Sequence, residues 1–229
     1  MVTLAAVEEL RVGTAQPFGP RGEPSAMGKA PVGAAVWLSE TGLAADEQGD
    51  RKRHGGAEKA LHQYPAEHYA LWRGDLPDLG EALVPGAVGE NVVARGMTEH
   101  DVCIGDILGI GEAVVQVSQG RQPCWKLNVR FGRRDMARRF QDTGRTGWYY
   151  RVLDPGWIGP GDAIVRRDRP NPAWPLSRLQ RVLYHRTLDR ADLGEIAELP
   201  ALSESWRALA RKRLAHGTVE DWSARLTTP

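Results

Sequence analysis

The sequence predicts a mainly β fold with added helices: a barrel-like or sandwich domain followed by a small three-helix unit. Three observations carry that expectation. Over the first three quarters of the chain, short apolar runs alternate with Gly, Pro, Asn and Asp punctuation, the pattern of short strands joined by tight turns. Three prolines then fall within residues 170–175, a stiff extended connector. Beyond it, the apolar spacing changes from that of strands to that of helices.

Taken in order, the expected strands are Leu4–Val12, Val32–Leu38, Asn91–Ala94, Ile107–Ile110, Ala113–Ser118 and Trp148–Val152. Gly111-Glu112 joins two of them as a hairpin. Two helices interrupt the strands. Ala57–Trp72 has good helix formers, with Leu61, Tyr64 and Leu71 at helical spacing and a kink at Pro65. Arg134–Gln141 is a short basic helix. After the connector, Ser177–Thr187 places Leu179, Val182 and Leu183 on one face behind a Ser177 cap. Ala191–Leu199 follows. Ser203–Ala215 then turns Trp206, Leu209 and Ala210 inward, with Gly217 as its stop. The domains expected are 1–168, a connector 169–176 and a helical unit 177–229. That last unit is too small to fold alone, so it should pack on the β domain or on a second copy, which makes a homodimer plausible.

Composition narrows the function classes. The 229 residues are 41% hydrophobic and 26% charged, ordinary for a globular chain. Thirty basic against 29 acidic side chains give a net charge of +1, which argues against a nucleic-acid binder. Two cysteines, Cys103 and Cys124, make neither a disulfide scaffold nor an iron–sulfur cluster. The N-terminus carries acids where a signal peptide has bases, and no apolar run is long enough to span a bilayer. The expectation is a cytoplasmic protein with free thiols.

Chemistry concentrates in three clusters. In the first, Arg51, Lys52, Arg53 and His54 precede Gly55-Gly56 and the expected helix, a combination suited to an anion. A solvated basic loop is the equal alternative. The second is Gly89-Glu90-Asn91, either a ligand-binding amide or simply a turn. In the third, Arg121, Cys124 and Lys126 lie within six residues. Neighbouring cations favour a thiolate, and soft metals favour thiolate ligands. Cys103, inside Val102-Cys103-Ile104, suits a buried inert thiol better. A Cys124 hydrolase assisted by His54 or His62 is a further possibility. His54, His62 and His68 match no zinc spacing. Of the eight tryptophans, Trp125 alone is placed to form a pocket wall.

The order Arg53-His54-Gly55-Gly56, Gly89-Glu90-Asn91, Ile104-Gly105-Asp106 and Gln122-Pro123-Cys124-x-Lys126-Leu127 resembles the MOSC family, named for the molybdenum cofactor sulfurase C-terminal domain. The likeness runs from about Leu4 to Val165. The tail, with Ser203-x-Ser205-Trp206 and the basic run before Gly217, resembles the three-helix extension of the YiiM-like subgroup.

That resemblance implies a MOSC β-barrel-like domain holding a molybdenum cofactor of the molybdopterin type. It implies Cys124 as the metal ligand. Arg53, His54 and Gly55 would lie near the pterin or its phosphate, and Asn91 would contact the pterin. Arg121 and Lys126 would add positive charge around the thiolate, and Lys29 and Arg21 would face the site from an early loop. For the YiiM-like group the implied reaction is reduction of N-hydroxylated compounds, including hydroxylaminopurine-type base analogues, to amines. Its proton donor would be His54, Asp46 or Glu90. With no cluster cysteines and no dinucleotide fingerprint, electrons would come from a separate reductase. The competing reading is a cofactor or sulfur carrier with a persulfide on Cys124. A structural protein using the helical tail is a third reading, and it leaves the basic, Gly-rich and thiol clusters unused.

Overall fold

The computed structural model of the chain describes residues 1–49 and 55–229. Its strands are β1 (Val2–Val12), β2 (Gln16–Phe18), β3 (Glu23–Ser25), β4 (Ala30–Val32), β5 (Val36–Ser39), β6 (Gly42–Leu43), β7 (Leu61–Pro65), β8 (Val92–Ala94), β9 (Ile107–Ile110), β10 (Ala113–Gly120), β11 (Trp148–Asp154), β12 (Gly156–Ile158) and β13 (Ala163–Asp168). Seven of them form a closed barrel in the order β13-β9-β10-β11-β7-β8-β1, with β1 returning to β13. Neighbours are antiparallel except β7 and β8.

Closure depends on the length of β1. Val2–Ala6 pair with β13, Val7–Leu10 with β8, and Leu10–Val12 with β4. Register shifts after Thr3 and Val7 bend the strand between partners, as bulges do. A closed sheet leaves no barrel edge open to a stray strand. Inside, Val7, Leu10, Leu108, Ile110, Val115, Val117, Trp148 and Ile164 are fully or almost fully buried. The expected hairpin is present: Ala113 pairs with Ile110, and Gly111 takes the left-handed conformation at φ 54°.

Helices α1 (Glu67–Asp75), α2 (Lys126–Phe131) and α3 (Met136–Thr143) complete the β-rich part, and α4 (Leu176–Tyr184) opens the helical unit. A second core lies under α1–α3, where Trp72 stacks on Phe140 with ring centroids 4.6 Å apart. The expected helix Ala57–Trp72 is a correction. Ala57–Lys59 form one 3₁₀ turn, Leu61–Pro65 form strand β7, and the α-helix starts only at Glu67. All five residues of β7 are buried, because it sits between β8 and β11 with packing on both faces. Its side chains therefore show no alternation, and local helix propensity lost to the sheet. The Gly55-Gly56 turn accordingly leads to a 3₁₀ turn and a strand, not to a helix N-terminus. Expected strand Val32–Leu38 is also two strands: β4 extends the barrel and β5 joins β6 and β12 in a separate sheet.

The helical unit continues with α5 (Arg190–Glu198), α6 (Glu204–His216) and a short α7 (Ser223–Leu226). Helix α4 begins one residue before the expected Ser177 cap, with Pro175 as its N-cap. Gly217 ends α6 in the left-handed conformation, as expected. The connector is stitched to the barrel. Ile104 N–H donates to Trp174 (2.9 Å) and Leu176 N–H to Val102 (2.9 Å). One core runs without a break from barrel residues such as Val117 to Leu179, Ile196 and Trp206.

Asp106 secures this junction. Its carboxylate is fully buried and accepts from Arg169 Nε (2.9 Å to Oδ1) and Nη2 (2.7 Å to Oδ2), and from Cys103 N–H (3.0 Å). Asp106→Ala should therefore cost about 3 kcal/mol, the low end for a broken buried pair because Arg169 is partly exposed. Urea unfolding measures it. A loss below about 1 kcal/mol would show that the carboxylate does not hold the connector.

Candidate active site

One end of the barrel opens into a cleft. Its wall includes Met27, Lys29, Asp46, Gln48, Lys59, His62, Gly89, Asn91, Arg121, Cys124, Lys126 and Tyr149. These residues come from segments far apart in sequence, brought together by sheet order. His62 lies in β7, Asn91 just before β8, Arg121 just after β10 and Tyr149 in β11. The β10–β11 ladder ends with Gly120 opposite Trp148, and the Arg121 side chain that follows bonds Tyr149.

The acidic side of the cleft is a closed network. Asp46 Oδ1 accepts from Gly13 N–H (2.8 Å) and forms an ion pair with Lys29 Nζ; Oδ2 accepts from Asn91 Nδ2 (2.9 Å). Asn91 spends its other N–H on the Arg11 carbonyl (3.1 Å), and its Oδ1 accepts from His62 N–H (3.2 Å). Asn91 thus lines the cleft while fixing Asp46. Burial lowers the pKa of Lys29, and Asp46 opposes that shift.

The opposite side is positive. Arg121 is 6% exposed, and its Nη1 has no hydrogen-bond partner. Its Nη2 reaches the Val88 carbonyl at 3.4 Å, and its guanidinium also bonds the Tyr149 side chain. Among the described residues it meets no carboxylate. Lys126, equally buried, donates from Nζ to the Pro24 carbonyl (2.8 Å). Beneath them the His62 ring lies against Tyr149, tilted by 31° with centroids 4.9 Å apart. Burial, then the Arg121 charge, hold His62 well below its ordinary pKa, so the ring is neutral at neutral pH. Burial likewise raises the Tyr149 phenol, with Arg121 opposing and Cys124 adding to the rise.

This wall is braced from behind. Glu99 Oε1 accepts from Thr146 N–H (3.0 Å) and Gly147 N–H (2.7 Å), while Oε2 bonds His68 Nε2 (2.7 Å). The Gly147 carbonyl in turn accepts from Arg121 N–H (3.0 Å). Only glycine fits at 147: φ is 71°, and a Cβ would lie 2.3 Å from the Gln63 carbonyl.

Cys124 is half-buried at the cleft, in the loop between β10 and α2. Cys103 is buried, 3.7 Å from the Pro172 carbonyl, and burial raises its pKa. Of the other expected site residues, Gly55 packs against Gln48, where a Cβ would fall 1.9 Å from Oε1. Glu90 lies behind the cleft wall. It is fully buried and accepts from Tyr69 Oη (2.5 Å) and Gly86 N–H (2.6 Å), and burial raises its pKa. Arg21 is exposed in the β2–β3 turn and is not part of the cleft wall. Arg53 and His54 fall outside the described residues. Trp125 turns away from the cleft to pack on the Gly19 turn. No cluster of three or more His, Cys, Asp or Glu groups suited to a metal ion exists among the described residues. Among the described residues no helix is long and apolar enough to cross a membrane. Tyr149 had no sequence signal; only strand register brings it here.

Comparison with known proteins agrees with this architecture. Residues 50–165 match the MOSC domain model, and residues 174–217 match that of the YiiM-like 3-alpha helix domain. The chain is 39% identical to Protein YiiM of Escherichia coli over 207 residues, covering 90% of this chain and 92% of that one. It is 41% identical to a Gibberella moniliformis protein named Reductase, covering 78% of this chain but 32% of that longer one. The crystal structure of YiiM from Escherichia coli superposes with a TM-score of 0.81 at 33% identity, covering 93% of this chain and 99% of that one. The chain therefore belongs to the MOSC family and, with its three-helix extension, to the YiiM-like proteins within it.

Proposed function

We propose that the chain is a molybdenum-cofactor-dependent reductase that converts N-hydroxylated compounds to amines. The observation that carries this reading is Arg121: a buried guanidinium with an unpartnered Nη1 facing a cleft. A buried cation that meets no carboxylate among the described residues costs several kcal/mol to bury, so the cleft is suited to an anionic occupant. Lys126 strengthens that field, and Cys124 offers a soft donor within it. An anionic, sulfur-rich molybdopterin group fits this donor set. Cys124 would hold the metal, and Arg121 and Lys126 would face its negative charge.

When bound, the cofactor would supply the two electrons for cleaving the N–O bond. Two protons accompany them, giving the amine and water. The residues of the chain manage those protons. Asp46 holds Lys29 at the cleft with its proton on Nζ. A lysine whose pKa is lowered gives up that proton more readily, as an acid catalyst requires. Buried His62 stays neutral, and the Glu99 brace keeps Arg121 in place. Electrons would come from a separate reductase in the cytoplasm. That a domain like this one forms 32% of a longer protein named Reductase supports the pairing.

Elemental analysis and pterin release, on protein from a cofactor-competent host, test the assignment. The wild type should hold about one molybdenum per chain, as one Cys124 ligand implies, and folded Cys124→Ala should hold none. No molybdenum in either, with a persulfide on Cys124, would replace the reductase by a sulfur carrier. NAD(P)H alone should not support turnover; if it does, the separate donor is wrong. The rate should also fall as pH rises through the lowered Lys29 pKa, because the ammonium is the form that donates. Lys29→Met should lose that alkaline limb and about 100-fold in kcat. An unchanged limb in Lys29→Met would assign the proton to another group.

A further inference from the structure

The segment after α6 turns back to the cleft and grips the loop that carries Cys124. Arg225 makes contact on both sides of that residue. Its Nη1 donates to the Pro123 carbonyl (2.5 Å), and its own carbonyl accepts from Trp125 N–H (2.7 Å). The peptide groups before and after Cys124 are thus held by one residue, once through its side chain and once through its backbone. Arg225 Nη2 donates to Gln141 Oε1 (2.5 Å), and its guanidinium lies 5.8 Å from the Tyr184 ring centroid. Next to it, the Leu226 carbonyl accepts from Asn128 Nδ2 (2.8 Å), and the Leu226 side chain is buried in the α1–α3 core.

The turn is anchored at its near end too. Arg213, almost fully buried in α6, holds Glu220 with both Nε (2.9 Å to Oε2) and Nη2 (2.7 Å to Oε1). Glu220 Oε1 in turn accepts from Trp222 Nε1 (2.7 Å). A chain of contacts therefore leads from the helical unit to the thiol loop. The matched three-helix domain ends at Gly217, before this strap begins.

We infer that Arg225 is a positioning residue for Cys124, and that the strap fixes the thiol in the orientation its ligand role requires. The ligand role rests on the cofactor reading above; the positioning does not. A thiol whose flanking peptides are pinned presents one geometry to an incoming electrophile or metal. Releasing them lets the loop open and the half-buried sulfur become accessible.

Alkylation of cofactor-free, full-length protein by iodoacetamide, followed peptide by peptide by mass spectrometry, tests this. Buried Cys103 reports on the fold. In Arg225→Ala, Cys124 should react about tenfold faster, the scale of one lost charge-assisted hydrogen bond, with Cys103 still protected. Arg225→Lys should recover part of the wild-type rate. Equal Cys124 rates in wild type and Arg225→Ala, with Cys103 protected, would overturn the inference. Should Cys103 react too, amide exchange on the wild type decides. Trp125 N–H should exchange as slowly as the β10 amides, and exchange at the rate of a free loop overturns the strap. Molybdenum content separates the two ideas. Metal retained in full by a folded Arg225→Ala with unchanged alkylation leaves the cofactor reading standing without the strap. Altered alkylation in a protein that never binds molybdenum leaves the strap standing without the cofactor.

Discussion

Barrel closure by β1 is the constraint on which the site depends. One strand serves three neighbours in turn, and its last residues do double duty. The Arg11 carbonyl and the Gly13 N–H sit where β1 leaves the barrel, and they receive Asn91 and anchor Asp46. Arg11 Nη2 also donates to the Lys29 carbonyl (2.9 Å). The acidic wall of the cleft is thus an extension of the backbone ladder rather than a group of side chains on a loop. Backbone anchoring of this kind removes rotamer freedom in advance, which is what a site holding a proton at a defined atom needs.

The two walls answer different electrostatic problems. On one, Asp46 and Lys29 neutralise each other, so their burial is tolerable before anything binds. On the other, Arg121 meets no carboxylate among the described residues and its Nη1 has no hydrogen-bond partner, so its burial is carried by the rest of the fold. Glu99 is the compensation. Its carboxylate binds two successive amides and a histidine, stiffening the 146–147 turn from which Arg121 takes its backbone partner. The field that favours an anionic ligand is therefore preorganised rather than induced. His62 remains uncharged between the walls because a second cation beside Arg121 would be costlier still.

How much of this was legible in the sequence depends on where the determining contacts lie. The β9–β10 hairpin was readable because Gly111 encodes its turn locally. Cys124 stood out from Cys103 because its neighbours in sequence are cations. Strand β7 was not readable. It is buried on both faces, so alternation vanishes, and the residues around it favour a helix when taken alone. Asn91 was placed at the site by the sequence, but its separation from Glu90 was not readable. The pair reads as one polar turn, yet one side chain faces the cleft and the other enters the aromatic core against Tyr69. Adjacent residues on an extended backbone point to opposite sides, so a motif seen as a unit splits in space. Tyr149 and Arg225 were invisible for a related reason: register and a long return path, not spacing, bring them to the thiol loop.

The same return path explains why the small helical unit is attached at all. Its helices are too few to bury a core alone, and they share one with the barrel through Trp206, Leu179 and Trp174. Stability alone would be served by that packing. The polar contacts go further: Arg213 is buried at the cost of desolvation, offset among the described residues by Glu220 and two backbone carbonyls. A hydrophobic side chain would have filled that space at lower cost. What the ion pair adds is direction, because a bidentate guanidinium–carboxylate contact fixes the angle at which the chain leaves α6. That angle carries Trp222 onto Tyr184 and Arg225 onto the loop of Cys124. The helical unit thereby braces the loop of Cys124 from behind, while the barrel strands and their loops line the cleft itself.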